Sequence, residues 1–139
     1  MRRFVIASLA ICLYFQAARA ELDAVNQNVL INKLEMVYRS LADKDASKVG
    51  VTLRLADLYA ERARQAAAKD LEGGASLSGT KADRDKALRL YSEVIDRAPE
   101  TARGKIVMQM GHLHQMNGQE DKAIALYMKN TGAEEPAVR

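Results

Sequence analysis

Two histidines, one cysteine and a short Gly/Ser stretch are the groups in this 139-residue chain that could do chemistry. His112 and His114 are two positions apart. On a helix that offset turns one side chain about 200° from the other, so the pair cannot close on one metal ion. Cys12 is the sole cysteine, so any metal site would need carboxylates alone. Ser76 and Ser78 lie in Gly74-Ala75-Ser76-Leu77-Ser78, which ends in Ser where a nucleophile elbow needs its second Gly. Gly73-Gly74 is not followed by the Gly-Lys-Ser/Thr of a phosphate loop. Glu61, Asp70 and Glu72 stand beside Arg62, Arg64 and Lys69, the pattern of an ordinary solvated helix end. These residues predict no catalytic centre, no cofactor and no metal, so the chain is expected not to be an enzyme.

The opening MRRFVIASLAICLYFQAARA has the layout of a secretory signal peptide: two arginines, an apolar run from Phe4 to Phe15, and the small-x-small end Ala18-Arg19-Ala20. The run is short for a bilayer span, so cleavage before Glu21 is expected, with no membrane insertion afterwards. Ile11 stands where a lipobox needs a small residue, which argues against lipid attachment at Cys12. The leader also carries the charge imbalance. The chain has 21 Lys+Arg and 18 Asp+Glu; Arg2, Arg3 and Arg19 leave with the leader, which has no acidic residue. The remainder is neutral, and a nucleic-acid role loses the surplus of cations it would need. Without Cys12 no internal disulfide can form either, so stability must come from packing.

What remains reads as helix throughout, since no alternating run of β-formers appears. A first helix over residues 22–41 places Leu30, Leu34, Val37, Tyr38 and Leu41 on one stripe. Asp43 and Asp45 offer caps for a second helix over 47–70, whose extension through Arg62–Lys69 is written in good helix formers. Glu72–Lys81, EGGASLSGTK, reads as a loop. Thr80 with Asp83 is expected to cap a third helix that Pro99 ends. Thr101 is expected to cap a fourth over 102–116, closed by Asn117-Gly118, and a fifth covers 119–130 before Gly132 and Pro136.

Two phrases recur: DKALRLY at Asp85–Tyr91 and DKAIALY at Asp121–Tyr127, preceded by RLADLY at Arg54–Tyr59 and QMGHLH at Gln109–His114. With Met110-Gly111, His114, Ala123 and Tyr127, and earlier Leu55-Ala56, Tyr59, Ala87, Tyr91 and Pro99, the chain resembles the tetratricopeptide repeat family, whose units are antiparallel helix pairs. The resemblance implies an all-α fold, a right-handed superhelix of helical hairpins with about five helices. It implies close crossings at Ala56 and Gly111, faced by Ala87 and Ala123, and Tyr91 and Tyr127 filling the space between one hairpin and the next. It divides the chain into a leader at 1–20, a half unit or cap at 21–45, and a hairpin at 46–100 with an insert at 72–81. A second hairpin follows at 101–137, with a tail at 138–139. Ala56 to Ala87 exceeds the family's usual spacing by 19 residues, and His114 stands where an aromatic is typical.

In such arrays the first helix of each unit lines a concave groove. Here that implies Leu53 and Asp57 from one unit, and Lys105, Met108, Gln109, His112 and Met116 from the next, holding a protein or peptide. Two flexible thioethers suit adaptable apolar contact. The function so implied is a non-catalytic interaction or assembly scaffold of a Gram-negative cell envelope, periplasmic or secreted. An alternative is the docking module of a longer protein whose active domain lies beyond residue 139; the short segment after the fifth helix favours a longer array. Self-association through the fifth helix is a further possibility.

Overall fold

A computed structural model of the chain describes residues 25–73 and 77–131. The leader with its cleavage point and Cys12, Ser76 in the insert, and the segment from Gly132 onward lie outside the described residues. Among the described residues there are five helices and no strand: α1 (25–40), α2 (Ala46–Gly73), α3 (Leu77–Val94), α4 (Glu100–Met116) and α5 (Glu120–Thr131). The all-α expectation holds. α2 packs along α3, α4 along α5, and a narrower contact joins α3 to α4. The result is two helical hairpins side by side. α1 leans on the first of them through Ile31, Leu34 and Tyr38.

Local chemistry sets the helix ends. The Asp45 carboxylate accepts the Ser47 amide at 2.8 Å, capping α2 as its spacing predicted. At the other end of α1, the Lys48 ammonium is 6% exposed and donates to the carbonyls of Tyr38 and Leu41. It satisfies two acceptors that the last turn of a helix leaves open. Gly118 has φ +68°, and the Gly118 and Gln119 amides return to the carbonyls of Gln115 and His114. This paired closure is the reason glycine follows Asn117.

The core is built on small residues. Ala56, Ala60 and Ala63 are fully buried at helical spacing on α2, and Ala87 is fully buried on α3, which lets the two long helices lie close. Leu55, Tyr91, Leu90 and Leu113 fill the centre. The close crossing expected at Gly111 is present: a Cβ there would come within 2.2 Å of the Tyr127 ring.

Six expectations change. The described parts of the 72–81 segment are helical rather than loop: α2 runs through Gly73 and α3 begins at Leu77. Thr80 is buried inside α3 rather than capping it, and Asp83 is taken by Arg62. Each glycine costs a helix only about 1 kcal/mol, and packing between the two arms outweighs that. α3 stops at Val94, before Pro99; Pro99 instead opens α4, without a side-chain cap from Thr101. On α1 the inward stripe is rotated: Ile31 is buried, whereas Leu30 and Val37 are exposed. Tyr91 and Tyr127 turn inward to their own hairpins, Tyr91 bonding Asp57 and Tyr127 lying on Gly111.

Candidate functional site

The neighbouring first arms of the two hairpins, α2 and α4, enclose a trough of about 290 Å³ lined by Arg54, Asp57, Leu58, Glu61, Arg64, Lys105 and Gln109. On α2 the polar members recur at steps of three and four residues, which places them on one face. On α4, Lys105 and Gln109 are one turn apart. The trough therefore joins Asp57 with Lys105 and Gln109, three of the seven residues implied by the repeat pattern.

Its charges are unevenly engaged. The Arg64 guanidinium donates to Glu61 at 2.7 Å and to the Gln109 amide oxygen at 3.1 Å, tying α2 to α4. Arg64 holds the Glu61 carboxyl below its ordinary range. Asp57 accepts the Tyr91 hydroxyl from beneath. Burial, then that bond to Asp57, pushes the Tyr91 ionisation well above the usual phenol range. Arg54 and Lys105 have no hydrogen-bond or ion-pair partner among the described residues. The trough offers two unclaimed cations, one from each wall, above a floor closed by Leu58, which is 8% exposed.

The other implied residues fall elsewhere. Leu53 is half-buried and packs on the core rather than facing the trough. Met108 and Met116 are exposed on α4 beyond the trough lining. His112 accepts or donates one bond with the Tyr127 hydroxyl at 3.0 Å, its ring edge-on to the tyrosine. His114 contacts Gln119 through its own Nδ1 at 2.6 Å. The two imidazoles thus bond different partners, Tyr127 on α5 and Gln119 in the turn before it. Among the described residues no group of three or more His, Cys, Asp or Glu could hold a metal, and no helix is long and apolar enough to cross a membrane.

Sequence reasoning missed Arg54, Glu61 and Arg64, which it read as part of solvated surface or passed over. Their spacing from Asp57 was the available signal: three before it, then four and seven after. The arrangement can hold an extended or helical segment by charge and amide contacts. It brings no nucleophile beside a base. Comparison with family models, curated proteins and solved structures finds no match.

Proposed function

We propose that this chain is a non-catalytic protein-interaction module of tetratricopeptide type, holding a peptide or protein segment in the trough between α2 and α4. The observation that carries this is the pair of cations without partners among the described residues, Arg54 and Lys105, on facing walls of a trough that also presents the Gln109 amide. A bound segment with a carboxylate at that level would be held from both sides. Met108, between Lys105 and Gln109, and Met116, further along α4, extend the surface with adaptable apolar contact. Stacking of the two hairpins in the family manner would give a right-handed superhelix. The leader supports work outside the cytoplasm, in a Gram-negative envelope, as an assembly or docking scaffold.

The test is photo-crosslinking in intact cells from position 109 or 108, beside an outward control at Lys81. Discrete adducts from the trough positions, lost in Arg54→Glu/Lys105→Glu, are expected. Adducts no different from those at position 81 would refute the assignment.

A further inference from the structure

We propose that copies of this chain associate head to tail, the outer face of α5 on one copy seated on the outer face of α1 on the next. The outer side of α1 is apolar: Met36 is 73% exposed, and Val25, Val29, Leu30 and Val37 are exposed beside it. The charges on that face are Lys33 and Arg39. Glu35, the acid of α1 among its described residues, is already engaged by Tyr59 and Lys86 and meets Arg39 only at 3.5 Å, with Arg39 itself largely exposed. A second α1 is therefore a poor partner, because it would set cation against cation.

The outer face of α5 has the complementary chemistry. Ile124 is 54% exposed, with Ala125 exposed and Met128 half-buried alongside. Glu120 and Asp121 stand at its N-terminal end, exposed and with no partner among the described residues. The lengths match: the apolar stretch of α1 from Val25 to Val37 and the whole of α5 each run about 18 Å. Antiparallel seating puts Glu120 and Asp121 beside Arg39 while the apolar side chains meet along the middle. α1 packs on the first hairpin and α5 on the second, so one chain presents both faces outward. An interface of two different faces builds open chains, or a ring where its rotation closes. Two helix faces of this length fall short of a standard interface, so association is concentration-dependent.

Sedimentation velocity of the full chain over a concentration series tests this, with Val29→Glu on one face and Ile124→Glu on the other. The wild type is expected to form a ladder of oligomers. Each variant alone should be monomeric, its dissociation constant raised about tenfold or more by a charge placed among apolar groups. An equimolar mixture of the two variants should stop at a dimer, because each supplies the face that the other lacks. Arg39→Glu and Asp121→Lys give a second reading: each weakens association, and one chain carrying both restores it. A wild type monomeric at every concentration overturns the proposal. So does an Ile124→Glu variant that associates normally, or a mixture that stays monomeric.

Discussion

Replacing Gly111 with Ala tests the packing of the second hairpin directly. The added methyl carbon would sit 2.2 Å from Tyr127 Cε1 and 2.7 Å from Cζ. The ring must swing away, giving up its bond to His112 at 3.0 Å and its contact with α4. Overpacking of this kind costs about 1–3 kcal/mol. Alanine returns about 1 kcal/mol through helix propensity. The net loss is then about 0–2 kcal/mol, a fall of up to roughly 8 °C in melting temperature for a domain of this size. Urea unfolding followed by circular dichroism gives the value. The decisive comparison is the same change in a Tyr127→Ala background. There the obstruction is gone, and Gly111→Ala should stabilise by up to about 1 kcal/mol. The effect must move toward stabilisation by at least about 1 kcal/mol between backgrounds. A Gly111→Ala that stabilises the otherwise unaltered chain as much as it does the Tyr127→Ala background refutes the close crossing.

Arg62 forks onto Asp83 at 2.6 and 2.7 Å and reaches Asn28 on α1. Arg62→Ala should cost about 1–3 kcal/mol in urea unfolding, and Arg62→Lys should recover less than half, having no fork. Asp45→Ala should cost about 1 kcal/mol by removing the α2 cap; no change would show that the Ser47 amide finds another acceptor. Three phenols resist ionisation. The bond from Tyr38 to Glu93, with burial, pushes Tyr38 up to about 12; burial and carboxylate partners raise Tyr59 and Tyr91 as well. Raised folded values mean the folded state keeps protons that the unfolded chain releases. This stability is fully present below pH 10 and falls as pH rises from 10 through 12. Tyr91→Phe should flatten that slope, and an unchanged alkaline unfolding profile would count against the buried phenol.

Features that act through nearest neighbours were legible in the amino-acid order. Asp45, Asn117-Gly118 and the small residue at 111 each answer a local need for a cap, a left-handed turn or a close crossing. Features decided between elements were not. Which side of α1 faces inward depends on where α2 and α3 present their bonding groups, so Ile31 displaced Leu30 and Val37 from the buried stripe. The Gly/Ser segment reads as loop from composition, whereas Thr80 at its end and Arg84 one turn on are buried in α3. Half of the trough was hidden for the same reason. Arg64 looks like a surface cation until Gln109, 45 positions later, is placed opposite it.

Asn117 has two duties. It closes α4, and its side chain accepts from Arg84 at 2.6 Å while donating to Asp85 at 3.0 Å, both on α3. The contact between hairpins is otherwise narrow. This amide and the Arg64–Gln109 bond therefore both tie the hairpins together. A guest seated between α2 and α4 would load both tethers, and one of them also ends α4.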